Sequence, residues 1–171
     1  LNALEDTNNE EGIRYLESVE LYQDAIENIQ LSTNNPYEYE LLEEYSDLGD
    51  VYQSLAQHDE AISSFDNALQ ITKIQNGLYN LDQLPLLQKI IQSHLALGDL
   101  DNATLWQEYS HYLHLENYDA ADPAMVEATF ALTQWYIATF FRDNFQSANQ
   151  KLEMIDNMTP RLPRSTAGLV E

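Results

Sequence analysis

The histidines are the side chains of this 171-residue chain best suited to metal or acid–base chemistry. Glu108 and His111 have the Glu-x-x-His spacing of helical di-iron sites, but such sites need a second Glu-x-x-His pair and further carboxylates, which the sequence lacks. His111 and His114 lie three residues apart, on one face of a helix, and could hold a stray metal ion. Surface or half-buried structural histidines are far commoner, so we predict neither a metal nor another cofactor.

Other catalytic patterns are missing or incomplete. Asp99-x-Asp101 resembles the start of a calcium loop, but the glycine, the third oxygen ligand and the glutamate at the twelfth place are absent, so we interpret Asp101 as a helix cap. The chain has no cysteine, no phosphate-binding glycine loop and no Gly-x-Ser-x-Gly elbow. So acidic a chain contains many pairs of carboxylates, and their number alone does not exclude a pair suited to glycoside hydrolysis. No feature of the sequence marks any one pair for that role. We predict a protein that is not an enzyme.

Charge restricts the partners. The net charge is −22, and 16 of the 29 acids lie in residues 1–60 beside a single base, Arg14. Nucleic acid and anionic lipid both need clustered Lys and Arg, so neither is expected as a partner. The negative field favours encounter with basic proteins or peptides, although the acids could also serve only to keep the chain in solution.

The sequence shows no targeting or membrane-spanning segment. It has no run of 18 apolar residues, and its start at Leu1 has neither a basic nor an apolar leader region. We therefore expect a piece of a longer precursor, whose compartment and oligomeric state are left open.

Apolar residues recur at helical spacing along almost the whole chain, which predicts an all-α fold of about seven helices. Asn35-Pro36-Tyr37-Glu38 and Asp122-Pro123 read as helix starts, and Gly98 reads as a helix end. Asp59 and Asp101 are further candidate caps. The last two helices are expected at about 123–141 and 145–158.

One stretch carries an internal repeat pattern. Tyr45-x₂-Leu48-Gly49-x₂-Tyr52 followed by Ala61-x₃-Phe65-x₂-Ala68 places small residues where two antiparallel helices must approach closely, and aromatic residues around that contact. The sequence resembles the tetratricopeptide-repeat superfamily here, and more weakly over residues 10–160, with degenerate copies aligned on Ala103 and Ala148. Residues 73–85 are also similar to a segment of uncharacterised repeat proteins of Gram-negative bacteria, many of them exported, a match that brings no known activity.

We divide residues 1–171, as a single domain, into a capping helix (10–34), three repeats (36–75, 82–117 and 123–160) and a tail (161–171). The resemblance implies a superhelix of stacked antiparallel helix pairs, whose inner surface grips a peptide or a helix. Lys, Arg and Asn hold a C-terminal carboxylate in one subset of the superfamily. Asp47 and Asp50 stand at comparable places here, so we do not expect that mode.

Mapping the inner surface predicts a groove that changes from acidic, through amide-rich, to aromatic. Acids would attract a basic ligand, amides would hold its backbone, and an aromatic end would anchor an apolar side chain. The predicted ligand residues are Asp47, Asp50, Gln88, Lys89, Gln92, Gln134 and Phe141. The alternative is a structural spacer or dimerisation module of a larger exported precursor, with the groove filled by residues 159–171.

Overall fold

The computed structural model describes the backbone of residues 2–158 and the side-chain surroundings of residues 12–142. Within that part, every regular element is helical, which confirms the all-α prediction. The helices are α1 (Asn2–Thr33), α2 (Glu40–Ser54), α3 (His58–Asn76), α4 (Leu84–Leu97), α5 (Leu100–Asn117) and α6 (Pro123–Met158), with a 3₁₀ turn at Leu81–Gln83 before α4. Helix α2 lies within the predicted repeat 36–75 and α3 extends one residue beyond it, while α4 and α5 lie within 82–117. The division into repeats itself stays a prediction.

The chain forms two compact units, residues 1–133 and residues 134–171. In the first unit α1 packs against α2, α2 against α3, α3 against α4, and α4 against α5. One apolar cluster joins α3, α4 and α5, and a second joins α1, α2 and α3. Consecutive helices that pack on their sequence neighbours are typical of a repeat solenoid.

Helices α2 and α3 approach each other closely at Gly49. A Cβ atom added at Gly49 would lie 2.6 Å from Cδ1 and 2.7 Å from Cζ of Phe65, so no side chain fits there. Phe65, Ala61 and Ala68 are completely buried on the facing side of α3. The predicted role of the small residues is therefore confirmed for this pair, and that of Ala148 lies outside the described side chains.

Two helix starts differ from the predictions. Helix α2 begins at Glu40, because Asn35 instead closes a turn: its Oδ1 accepts from the amide of Tyr37 at 3.1 Å, and its Nδ2 donates to Glu38 Oε1 at 2.9 Å. Helix α3 begins at His58, one residue before the predicted cap Asp59, and has no side-chain cap.

Asp99, and not Asp101, caps α5. Its Oδ1 accepts a hydrogen bond of 3.1 Å from the backbone N–H of Asn102, and its Oδ2 accepts one of 2.7 Å from the Asn102 side chain. The side-chain bond first, and the backbone bond after it, lower the pKa of the Asp99 carboxyl. The interpretation of Asp101 as the cap was wrong, because Gly98 is left-handed (φ 76°) and ends α4 so sharply that the next helix starts two residues earlier than expected. Asp122 caps α6 as predicted, accepting from the amide of Ala124 at 2.8 Å.

Helix α6 is continuous from Pro123 to Met158, where the sequence predicted two helices with a break after residue 141. Residues 142–144 are Arg, Asp and Asn, so neither glycine nor proline interrupts the helix there. Across the described part of the chain, no helix is both long and apolar enough to cross a membrane.

Candidate functional site

A groove of about 370 Å³ lies between α2 and α4, with the end of α3 as its floor. Helix α2 and the residue before it supply one wall, the 3₁₀ turn and α4 supply the other, and Thr72 and Asn76 come from α3. The two walls carry the following residues: Tyr39, Leu42, Glu43, Ser46 and Asp47 on one side, and Asp82, Pro85, Leu86 and Lys89 on the other. The groove therefore combines carboxylates with apolar surface.

Lys89 is the only cation among these lining residues, and its charge is already paired. Its Nζ lies 2.7 Å from Asp50 Oδ2 and 3.1 Å from Ser46 Oγ, and 5.3 Å from the centre of the Phe65 ring. The two side chains of the ion pair are 29% and 47% exposed, so solvent screens the pair only in part. The predicted groove residues Asp50 and Lys89 therefore neutralise each other, and α2 is tied to α4.

A second link between the same helices uses the amide of Gln53. Its Nε2 donates to the backbone oxygen of Lys89 at 2.9 Å and to Ser93 Oγ at 2.7 Å. Ser93 is completely buried, so the bond from Gln53 gives its hydroxyl a hydrogen-bond partner that burial would otherwise deny it. The two links fix the spacing of α2 and α4, and hence the width of the groove.

Like charges crowd the α2 wall. Burial raises the pKa of the Glu44 carboxyl, and the neighbouring Asp47 and Glu43 raise it further. Burial likewise raises the pKa of the Tyr22 phenol on α1, and so does Asp47, to which Tyr22 is hydrogen-bonded. Burial is the larger cause of both shifts, and the neighbouring carboxylates raise both pKa values in the same direction. A cation placed beside Asp47 would relieve this repulsion.

The structure brings Asp47, Asp50 and Lys89 together but does not place every predicted residue at the groove. Gln88 and Gln92 are exposed on α4 and do not line it. Gln134 and Phe141 are exposed on α6 in the second unit, and their assignment to a ligand surface stays a prediction.

The lining residues that the sequence reasoning missed include Asp82, Tyr39 and Pro85. Tyr39 immediately precedes α2, Asp82 lies in the 3₁₀ turn before α4, and Pro85 lies in the first turn of α4. The signal that could have found them is Asn80, whose side chain accepts from the amide of Asp82 at 2.6 Å and starts the 3₁₀ turn. The repeat pattern placed Asp82 at the start of the second repeat, but we assigned no ligand contact to the first residues of that repeat.

The histidine pair makes ordinary structural hydrogen bonds. His111 Nε2 lies 3.1 Å from Thr129 Oγ1, and His114 Nδ1 lies 2.8 Å from the backbone oxygen of Ser110. No group of three or more His, Asp or Glu side chains in the described residues could hold a metal ion.

Comparison with known proteins identifies the repeat and the fold. Residues 45–74 match the tetratricopeptide repeat family profile. No curated protein sequence matches the chain. Two similar solved structures are the kinesin-light-chain TPR-like repeats of Podosopora anserina (19% identity, TM-score 0.60) and BtubC (BKLC) of P. vanneervenii (17% identity, TM-score 0.59).

The match to the first structure covers 86% of this chain and 70% of that structure's chain. The match to the second covers 92% of this chain and 64% of that structure's chain. The likeness shows a shared helical-repeat fold. The resemblance of residues 73–85 to proteins of Gram-negative bacteria remains a prediction.

Proposed function

We propose that this tetratricopeptide-repeat protein is a non-catalytic scaffold whose α2–α4 groove binds a peptide or helix carrying Lys or Arg beside an apolar side chain. Tetratricopeptide repeats mediate protein–protein interaction, and stacked helix pairs provide the extended surface for it. The observation that carries the proposal is the charge balance of the groove. Glu43, Asp47 and Asp82 line it, while its cation is held by Asp50.

The preference for a basic ligand follows from what surrounds the groove. Residues 1–133 contain three bases, Arg14, Lys73 and Lys89. Lys73 on α3 does not line the groove. Its Nζ lies 4.9 Å from the centre of the Tyr109 ring on α5. A ligand cation at Asp47 therefore meets little competition from the protein's own cations in this unit, and the net negative field speeds its approach.

Apolar surface in the same groove supplies an anchor. Leu42 is half-buried, Leu86 is almost fully buried, and Tyr39 is 59% exposed. An exposed tyrosine at the edge of a groove is a common contributor to binding energy, since its ring buries area while its hydroxyl stays in water. One ligand segment can thus place a cation on Asp47 and an apolar side chain against Tyr39.

The test is a titration of the whole chain with a fluorescein-labelled octapeptide of alternating Lys and Leu, followed by fluorescence anisotropy. We expect saturable binding, and none for the same peptide with Glu in place of Lys. The double variant Glu43→Gln/Asp47→Asn should weaken binding roughly tenfold, because two partly exposed charge pairs are worth about 0.5–1 kcal/mol each.

The matched control removes two acids elsewhere. Asp59 and Asp101 are exposed in the first turns of α3 and α5 and do not line the groove, so Asp59→Asn/Asp101→Asn changes the net charge equally. The control should bind like the unaltered chain. Equal weakening by both double variants would show that net charge, and not the groove, attracts the peptide; the proposal would then be wrong.

A further inference from the structure

A second cleft, of about 230 Å³, is lined by α1, α2, α3 and the segment that joins α1 to α2. This amide cleft shares no lining residue with the α2–α4 groove. Its lining residues are Gln30, Pro36, Tyr37, Tyr45, Asn67, Gln70 and Ile71. None of them is charged, although the chain has a net charge of −22. Three carboxamides and two phenols instead give the cleft a neutral, hydrogen-bonding surface.

The protein leaves many polar groups of the amide cleft unused. The side chains of Asn67 and Gln70 are exposed and make no hydrogen bond within the described residues. Gln30 is half-buried; its Nε2 donates to Tyr45 Oη at 3.1 Å, and its Oε1 accepts no hydrogen bond from the described part of the chain. Each carboxamide can donate two hydrogen bonds and accept two, so both donors and acceptors converge here. Convergent polar groups in a concave surface are typical of a ligand site.

The backbone at one edge of the amide cleft is fixed before any ligand binds. The backbone N–H of Tyr37 donates to Asn35 Oδ1 at 3.1 Å, and its backbone oxygen accepts from Gln75 Nε2 of α3 at 2.7 Å. The Tyr37 side chain is 40% exposed, so its ring has area free for contact. A site that is ordered in advance loses less entropy on binding.

Charge and polarity together restrict the class of ligand. The negative field of the chain disfavours anions such as phosphates and acidic sugars. A cation would find carboxylates in the α2–α4 groove but none in the amide cleft. A wholly apolar ligand would deprive the carboxamides of the hydrogen bonds that water gives them, which costs affinity. The class that fits is neutral and carries several hydrogen-bonding groups.

We infer that the amide cleft binds one ring of a neutral sugar. Every sugar hydroxyl both donates and accepts, as a carboxamide does, so the two match group by group. The C–H face of a sugar ring is apolar and packs on an aromatic ring, a contact that Tyr37 can supply. The cleft is smaller than the roughly 300–1,000 Å³ of sites for drug-sized ligands, which suits a single ring. An extended peptide fits less well, because its backbone groups point alternately to opposite sides.

The first test titrates the full chain with D-glucose, D-galactose, D-mannose and N-acetyl-D-glucosamine, each as the free sugar and as its methyl glycoside. Binding is followed by saturation-transfer-difference NMR. We expect saturable binding of at least one of these sugars with a dissociation constant in the millimolar range, because the ligand is small and its hydrogen bonds are neutral. A bound methyl glycoside would identify the ligand as a sugar unit within a glycan, and binding of the free form alone would identify it as a free sugar.

The second test locates the binding. Asn67→Ala/Gln70→Ala should weaken binding of the same sugar roughly tenfold, because two hydrogen-bonding side chains are removed. The matched control is Asn28→Ala/Gln92→Ala, which also removes one exposed Asn and one exposed Gln but leaves the lining of the cleft intact. The control should bind like the unaltered chain, and circular dichroism should show equal helicity in all variants.

Four results would each overturn the inference. They are no saturable binding of any of these sugars up to about 50 mM, no loss in Asn67→Ala/Gln70→Ala, equal loss in the control, and displacement of the sugar by an equal concentration of N-acetylglycinamide, a neutral amide without hydroxyls. The amide cleft and the α2–α4 groove have separate linings, so the inference stands whether or not the groove binds a peptide.

Discussion

The crossing of α2 and α3 at Gly49 gives the sharpest test of the packing. A Cβ atom at this position would lie 2.6–2.7 Å from two atoms of the Phe65 ring, whereas ordinary contacts are 3.4–4 Å. The ring is completely buried in the apolar cluster of α3, α4 and α5, so it has little room to turn away. The substitution Gly49→Ala therefore overpacks the core.

The magnitude is the difference of two opposing effects. Overpacking costs about 1–3 kcal/mol, and a fully enclosed ring places this site near the upper end. Replacing a mid-helix glycine by alanine gains about 1 kcal/mol from helix propensity. We expect Gly49→Ala to lower the free energy of unfolding by about 2 kcal/mol, measured by urea denaturation followed by circular dichroism.

Gly12 provides the matched control, because it is also helical and nothing lies within 4 Å of its added Cβ. Gly12→Ala should leave stability unchanged or raise it by up to about 1 kcal/mol. Adding Phe65→Leu to Gly49→Ala should relieve the clash, so the double variant loses less than the sum of the single losses. A Gly49→Ala protein as stable as the unaltered chain would refute the close crossing.

Three further substitutions test other parts of the structure. Tyr109→Phe removes the hydroxyl that donates to Gln83 Oε1 at 2.9 Å; since Gln83 is completely buried, unfolding free energy should fall by about 1–2 kcal/mol in urea denaturation, and no loss would contradict the bond. Asp99→Ala should lower the free energy of unfolding more than Asp101→Ala does in the same assay, because Asp99 is the cap of α5; the reverse order would contradict that assignment. Burial raises the pKa of Asp66 above its unfolded value, so its contribution to stability is present at low pH and lost as pH rises through the raised pKa. Asp66→Asn should therefore be more stable than the unaltered chain at pH 7 but not at pH 3, and an equal difference at both pH values would exclude this linkage.

The helical fold could be predicted from sequence because its determinants are local. The spacing of Gly49, Ala61 and Phe65 predicts two closely packed helices, and the structure places Gly49 against the Phe65 ring and buries Ala61 completely. Gly98 ends α4 for an equally local reason, its positive φ. Helix starts were less predictable, since several Asn and Asp residues compete for each one and the backbone path decides between them.

The site was predicted only in part, because a groove is made by residues distant in sequence. Repeat spacing located Asp47, Asp50 and Lys89, but it could not show that Lys89 bonds to Asp50 across two helices. Asp82 reaches the groove from a 3₁₀ turn that has no counterpart in the repeat pattern. Continuity of α6 was also missed, since aromatic and polar residues around 141–145 suit either a helix or a turn between helices.

Exchange of charge between protein and ligand tests the proposed binding site most directly. Asp47→Lys should abolish binding of the alternating Lys/Leu peptide and confer saturable binding of its Glu/Leu counterpart, both followed by anisotropy against the unaltered chain. Such a reversal requires contact between residue 47 and the ligand's charged side chains. A variant that still binds the lysine peptide, or that binds neither peptide while keeping its helicity, would contradict the assignment of the groove.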